Sequence, residues 1–355
     1  MLKNRVAAAR VYLEKLHLDA LLFINNSNIR YLTGFTGSEG ALILWGADAV
    51  FLTDSRYSYQ ASVEVKHIRT VEFREKLPFI VSQLLERGSV RIGIEAEFMT
   101  VALYSSLKEL LPACELVLIG PELDDLRLIK DAGEKDLLGK AAEIASNALL
   151  EILDKIKPDA VESDLALLLE FAMRKSGAEG KAFDFIVASG ERGALPHGRA
   201  SDKKILAGEL VTLDFGAVYH GYNSDETVTV AVGTPDNRQR EIYQIVKDAH
   251  DLALESVRPG VSFKELDSMA RGYIEKKGYG QYFGHGLGHG VGLDIHEKPV
   301  VSFRSDGVVV EGMVFTIEPG IYLPGWGGVR IEDTVYVTGD GCCLLTKVPK
   351  DLLIV

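Results

Sequence analysis

Cysteine is scarce: 355 residues carry only Cys114, Cys342 and Cys343. That excludes a disulfide framework, and the adjacent Cys342-Cys343 pair reads as two alternating strand residues rather than a ligand set. Positive charge is also short, with 39 Lys and Arg against 51 Asp and Glu, a net charge of −12 and a pI near 5.2. Nucleic-acid binders neutralise phosphates with basic patches, so this balance argues against a nucleic-acid partner and for small or neutral ligands. No run approaches the about 18 apolar residues of a membrane span, and the first ten residues lack the apolar core of a signal peptide. A cytoplasmic chain with no membrane partner is expected.

What is present is ordinary globular material, 47% hydrophobic and 25% charged, long enough for two domains with substantial cores. Residues 1–124 alternate helical and strand-like runs: a helix before His17, then residues 20–24, 41–45 and 49–53 as short apolar strands. This is an α/β pattern. It breaks around residues 120–125, and a long helical period begins near Asp131, so the expected domains are 1–124 and 125–355. The second part splits into similar halves. Helical runs near 133–156 and 162–176 precede one acid-bearing β-rich stretch, and runs near 238–257 and 263–277 precede another. An internal duplication is expected, with the site between its halves.

Five residues in those stretches stand out: Asp214, Asp225, His289, Glu318 and Glu332. Asp214 lies in Val211-Thr-Leu-Asp-Phe-Gly-Ala-Val218 and Asp225 in Ser224-Asp-Glu-Thr-Val-Thr-Val-Ala-Val232, with Tyr219-His-Gly-Tyr-Asn223 between them, a hairpin signature. A turn centred near Tyr219 and His220 makes the two acids cross-strand neighbours, with Cβ atoms about 4.5–5.5 Å apart. Val314-Phe-Thr-Ile-Glu-Pro-Gly-Ile-Tyr322 and Gly328-Val-Arg-Ile-Glu-Asp-Thr-Val-Tyr-Val337 repeat the device, so Glu318 and Glu332 are expected to face each other across a second hairpin. A single carboxylate beside a turn is ordinarily a solvated or capping group. Four on facing β surfaces repel one another unless a cation joins them, so the matched hairpins imply metal. An oxygen-dominated set with one imidazole suits Mn²⁺ or a similar divalent ion better than the Cys/His-rich sites of structural zinc.

Gly284-His-Gly-Leu-Gly-His-Gly-Val-Gly292 offers the alternating amides of a phosphate cradle, but that motif needs a helix immediately afterwards, and Leu293-Asp-Ile-His-Glu297 and Pro299 follow instead. Glycines flanking His289 suit an extended segment that a metal can approach closely. His285, His289 and His296 then become one ligand and two neighbours. His197 reads as a loop histidine, and His17, His67 and His250 show nothing beyond surface or core use.

In this order, Leu213-Asp-Phe-Gly-Ala217, Ser224-Asp225, Gly284-His-Gly-Leu-Gly-His-Gly290, Ile295-His-Glu297, Thr316-Ile-Glu-Pro-Gly320 and Val329-Arg-Ile-Glu-Asp333 resemble the Xaa-Pro peptidases of the pita-bread metallopeptidases. Methionine aminopeptidase, prolidase and aminopeptidase P are relatives. The resemblance covers essentially the whole chain, since Asn28-Ile-Arg-Tyr-Leu-Thr-Gly-Phe-Thr-Gly-Ser38 and Thr53-Asp-Ser-Arg-Tyr57 look like the family's accessory domain. It implies an α/β (α+β) fold: an N-terminal creatinase/prolidase-like α/β domain, then a pseudo-symmetric pita-bread catalytic domain. It also implies short proline-containing peptides as substrates, a homodimer, and two divalent metal ions, Mn²⁺ with Co²⁺ or Zn²⁺ as alternatives. By resemblance Asp214 holds one ion, Asp225 and Glu332 bridge both, and His289 with Glu318 completes the other. Two such ions about 3.5–4 Å apart lower the pKa of a shared water and stabilise the oxyanion formed when a peptide carbonyl is attacked. The resemblance gives Glu318 the proton shuttle to proline nitrogen, and gives His197 and His296 the tetrahedral intermediate and the peptide. His285, Tyr322 and Arg330 line the site in relatives, with Tyr322 and Arg330 ordering Glu332.

The chain departs from the family at two places. Relatives frequently carry Thr-Arg-Thr where this chain has Thr227-Val-Thr229, and some prolidases place an arginine near the dipeptide's carboxylate where this chain has Val300. Arginine recognises carboxylates by paired charged hydrogen bonds, so its loss points towards an Xaa-Pro aminopeptidase rather than a strict dipeptidase. The alternatives are an Xaa-Pro dipeptidase (prolidase); a catalytically inactive pita-bread peptide-binding module, which should have lost ligands that all stand here; and an α/β protein whose acids hold a structural cation.

Overall fold

The structure, a computed structural model, describes residues 2–355 and divides at Arg127–Leu128 into two compact units. The division falls slightly later than the 124–125 boundary expected from composition.

The first unit alternates helices and strands: α1 Leu2–Lys15, β1 Ala20–Phe23, α2 Asn26–Thr33, β2 Ala41–Trp45, β3 Ala49–Thr53, α3 Ser58–Glu64, β4 Arg69–Glu72, α4 Lys76–Glu86, β5 Arg91–Glu95, α5 Val101–Leu110 and β6 Glu115–Ile119. Its sheet runs β4-β3-β2-β1-β5-β6 and is mixed, with β2 antiparallel to both neighbours and β5 parallel to both of its own. β1, β2 and β3 are buried at every position, which is why they read as continuous apolar runs rather than alternating ones. Asn25 caps α2 by accepting from the Ser27 amide, and Gly34 ends it in the left-handed region at φ +81°.

The second unit is built twice over. Its helices are α6 Ala132–Ile152, α7 Glu162–Lys175, α8 Asn237–Ser256 and α9 Phe263–Lys276. Both α6 and α8 open with a reciprocal capping box, Asp131 with Glu134 and Asp236 with Gln239. Each such cap contributes about 1 kcal/mol. The first-half strands are β7 Gly180–Lys181, β8 Ile186–Ser189, β9 Leu210–Phe215, β10 Ala217–Tyr219, β11 Tyr222–Asn223 and β12 Glu226–Ala231. They form sheets β12-β9-β8 and β11-β10-β7. In the second half come β13 Gly288–Gly290, β14 Glu297–Val301, β15 Val314–Ile317, β16 Gly320–Leu323, β17 Gly327–Arg330, β18 Asp333–Val337 and β19 Cys342–Leu344, ordered β14-β13-β15-β18-β19 and β16-β17.

Each helix pair packs on its own strands. Ile144, Leu149, Leu165 and Leu169 meet Val187, Val211, Leu213 and Val228 in one core, and Ile242, Val246, Leu266 and Ile274 meet Phe315, Ile317 and Val335 in the other. Helix residues spaced by three or four share a face, and every fully buried Leu, Ile or Phe contributes roughly 1.5–3 kcal/mol. The two halves meet at an antiparallel bridge between Thr227 and Glu332, where the Glu332 amide donates to the Thr227 carbonyl at 3.1 Å. That junction brings the acid-bearing hairpins together. Cys342 and Cys343 occupy successive positions of β19, and all three cysteines are free thiols. No helix among the described residues is long and apolar enough to cross a membrane.

Candidate active site

Asp214 sits near the end of β9, opposite Thr227 of β12 rather than opposite Asp225. The reversal uses the two residues His220 and Gly221, at φ +46° and +76°, and Val218 pairs with Asn223. Continuing that register sets Asp225 opposite Gly216, so the two acids are diagonal neighbours on one face, a correction to the direct pairing expected. The cause lies in the turn, which centres on His220 and Gly221 rather than on Tyr219 and His220; at Gly216 a Cβ would meet the Ser224 carbonyl oxygen at 1.8 Å, so the strands cross too closely there for a side chain. The second hairpin follows expectation. Ile317 pairs with Asp333 and Gly320 with Arg330, a register that sets Glu318 and Glu332 opposite each other. Gly284–Gly292 runs into β13 and no helix follows it; Gly288 and Gly290 abut the backbones of Thr316 and Lys298 so tightly that a Cβ would lie within 1.9 and 2.1 Å. His289 is thereby carried between neighbouring strands.

All of these side chains line one cavity of about 740 Å³: Asp214, Asp225, His289, Glu318 and Glu332, together with His197, His285, His296, Tyr322 and Arg330. Asp225, His289 and Glu332 each offer a ligand atom, and these atoms lie within 4.8 Å of one another. His289 Nε2 is 3.5 Å from both Asp225 Oδ2 and Glu318 Oε1. Its Nδ1 faces the Gly290 carbonyl at 3.1 Å, which makes Nδ1 the protonated nitrogen and leaves the Nε2 lone pair aimed at the carboxylates. Burial, aided by His296, drops the His289 pKa to about 4, so the ring is neutral.

Asp214 belongs to the same wall but is gripped by Arg330, whose Nη2 lies 2.6 Å from Asp214 Oδ2. Arg330 also donates to Tyr322 Oη at 3.0 Å, to the Pro196 carbonyl at 3.1 Å and to Thr227 Oγ1 at 3.2 Å. Tyr322 Oη is in turn 2.9 Å from His285 Nε2, and His285 Nδ1 is 2.8 Å from the Gly286 carbonyl. Burial lowers the His285 pKa to about 4 and raises that of Tyr322 to about 12. The phenol therefore donates to a neutral imidazole while accepting from the guanidinium. His296 stacks edge-on to His289 with ring centroids 4.1 Å apart, and burial lowers its pKa too. His197 is exposed in the loop after residue 194 and reaches the cavity from the opposite half of the unit.

Burial pushes the Asp225 and Glu332 carboxyls well above their ordinary range, reinforced by mutual repulsion and by Asp214 and Glu318. Glu318 rises to about 8, chiefly through burial, against the pull of Arg330. Asp214 Oδ1 and Asp225 Oδ1 are buried without a hydrogen-bond partner among the described residues. Four carboxylates, a deprotonated imidazole nitrogen and a single buried arginine leave an excess of acceptors that only added positive charge satisfies. The donor set fits divalent cations.

Two residues of the site receive no role from sequence: Thr227, whose hydroxyl donates to Glu332 Oε2 at 2.5 Å, and Thr316, which donates to Glu318 Oε1 at 3.2 Å and accepts from the His289 amide. A threonine two residues before or after an acid on the same strand face is the available signal, and it is weak. Behind the acids, Lys350 Nζ lies 2.5 Å from Glu226 Oε1 and 3.2 Å from Asp333 Oδ1, and Asp333 Oδ2 is 3.2 Å from His250 Nε2. Glu226 and Asp333 are the chain neighbours of Asp225 and Glu332, so this ionic cluster backs both.

Residues 136–339 match Metallopeptidase family M24 and residues 5–129 match the Creatinase/Prolidase N-terminal domain. The chain belongs to metallopeptidase family M24. It is a hydrolase whose relatives include peptidases named for proline: the Xaa-Pro dipeptidase of Pyrococcus horikoshii is 41% identical over 99% of both chains. The structure of the Xaa-Pro dipeptidase from Bacillus anthracis superposes with a TM-score of 0.97 at 43% identity over all of both chains. That of the X-Pro aminopeptidase from Thermotoga maritima MSB8 gives 0.90 at 40% identity, covering 96% of this chain and 99% of that one.

Proposed function

We propose that the chain is an Xaa-Pro dipeptidase that works with two divalent metal ions held by Asp214, Asp225, His289, Glu318 and Glu332. The observation that carries this reading is the buried convergence of four carboxylates on a neutral imidazole, with Arg330 as the buried counter-charge paired to Asp214. When bound, the metals supply a nucleophile at neutral pH and polarise the scissile carbonyl. The protein's own residues do the rest. Glu318 takes a proton from the attacking water and delivers it to proline nitrogen, as its position beside His289 allows. His296, kept neutral by burial, donates to the developing oxyanion, while His197 closes on the peptide from the other half. The chain of Arg330, Tyr322 and His285 holds Asp214 and the second hairpin in place.

Mn²⁺ suits the oxygen-rich donors, with Co²⁺ or Zn²⁺ as substitutes. A homodimer in a reducing cytoplasm belongs to the same reading, the latter supported by three free thiols. The Xaa-Pro aminopeptidase reading stands second, favoured by Val300 on the cavity wall and by the Thermotoga maritima relative. Hydrolysis of Met-Pro and Met-Pro-Gly by the Mn²⁺-loaded protein separates the two. Cleavage confined to Met-Pro supports the dipeptidase; comparable cleavage of both supports the aminopeptidase and overturns the first reading.

A further inference from the structure

His197 lines the cavity from an exposed loop, and its ring makes no hydrogen bond among the described residues. An imidazole without a side-chain partner is placed by its own backbone, so whatever holds that backbone sets where the ring stands when a peptide arrives.

The loop runs from Ser189, the last residue of β8, to Ser201, by way of a 3₁₀ turn at Gly190–Ala194 and then Leu195-Pro-His197. One carboxylate grips both ends of it. Glu162, the first residue of α7, is wholly buried, and its Oε1 accepts from the Ser189 amide and hydroxyl, both at 2.8 Å. Its Oε2 accepts from the Ser201 hydroxyl at 2.6 Å, the Ser201 amide at 3.2 Å and Arg192 Nε at 2.9 Å. Arg192 extends the tie, since its Nη2 donates to the Arg199 carbonyl at 2.5 Å, two residues beyond His197. The middle of the loop is held from the other half of the unit, where Arg330 donates to the Pro196 carbonyl at 3.1 Å.

A carboxylate offers about four lone-pair positions, and donors from residues 189–201 crowd all of them. An acid at a helix start ordinarily accepts from amides of its own first turn. Glu162 accepts from none of these, and α7 has no side-chain cap. Its bonding is spent on the loop rather than on the helix that carries it.

Resting on the reading in which His197 closes on the peptide, we infer that Glu162 is a positioning residue for that reaction: by holding both ends of residues 189–201 it sets where His197 meets the substrate.

Glu162→Gln tests this with little change of volume. A carboxamide keeps one acceptor oxygen and turns an NH₂ group towards the donors at the other end, so one end of the loop is released. The experiment is a double-mutant cycle on the Mn²⁺-loaded protein with Met-Pro, comparing wild type, Glu162→Gln, His197→Ala and the pair. Misplacing a reacting group by about 1 Å costs up to about 100-fold, so partial release in Glu162→Gln is expected to lower kcat/KM about tenfold. Beside His197→Ala the same substitution is expected to cost less than about twofold, because the group it positions is gone. Bound Mn²⁺ is expected to equal that of wild type in all four proteins. Ser201→Ala removes one donor and leaves the amide; it is expected to cost about threefold, again only when His197 is present, and it keeps the cycle available should Glu162→Gln fail to fold.

An equal fall with and without His197 overturns the inference and makes Glu162 a support of the fold alone. Loss of metal from Glu162→Gln overturns it too. Unchanged turnover in His197→Ala leaves Glu162 nothing to act through and overturns the inference while the dipeptidase reading stands. A wild type that does not cleave Met-Pro with Mn²⁺ overturns both.

Discussion

Arg330 and Asp214 stand 116 residues apart in the chain and 2.6 Å apart in the structure, both side chains nearly withdrawn from solvent. This ion pair joins the second hairpin to the first. Removing one partner of a buried pair leaves an uncompensated charge, so Arg330→Met is expected to lose about 3–5 kcal/mol of stability in urea unfolding of the metal-free protein. Arg330→Lys keeps the charge but not the fork that also reaches Tyr322, Thr227 and the Pro196 carbonyl, and it should fall between the two.

Asp225 and Glu332 are the acids at the centre of the cluster, and replacing either with Ala should abolish metal binding and turnover together, read by metal analysis after gel filtration and by release of free methionine. His296 touches His289 through ring stacking alone. His296→Ala should therefore retain the wild-type metal content while kcat falls about 10²- to 10³-fold, the usual loss of one oxyanion donor. Loss of metal in the His296 variant would refute this division of labour.

How much of this was legible in the chain depended on whether partners lay within one hairpin. Glu318 and Glu332 sit on adjacent strands joined by one turn, and their facing could be read from spacing alone. The Asp214–Asp225 register could not, because it turns on which two residues make the reversal, His220 and Gly221 rather than Tyr219 and His220. Nor could the roles of Lys350, which meets Glu226 across 124 residues, and His250, which meets Asp333 across 83, both without any local pattern. The α6–α7 and α8–α9 helices emerged near their expected bounds because their apolar faces are periodic and the starts of α6, α8 and α9 are capped by side chains.

His250 yields a pH prediction. Burial alone would lower its pKa, but Asp251 and Asp333 outweigh it and hold the imidazolium above its usual range. A histidine whose folded pKa is raised contributes stability that is fully present below about pH 6.5 and is lost as pH rises through the higher folded value. His250→Gln should accordingly cost more at pH 6 than at pH 9 in paired urea titrations. An equal cost at both would mean that His250 is neutral in the fold.

Metal removal should be felt as stability as well as activity, because the buried acids repel one another without counter-charge. Chelator-treated protein is expected to melt lower than protein with Mn²⁺, and metal at 100 times its Kd should restore about 2.7 kcal/mol per site. Asp225→Ala should show no such rise in Tm, which separates site binding from general salt effects.

The central claim is that this carboxylate cluster hydrolyses Xaa-Pro bonds only when it holds divalent metal. Its most direct test is the rate of methionine release from Met-Pro by chelator-stripped protein as Mn²⁺ is titrated back. The account predicts negligible rate without metal, saturation as the site fills, and little or no release from Met-Ala under the same conditions. Full activity in the stripped protein, or none with Mn²⁺, Co²⁺ or Zn²⁺, would contradict it.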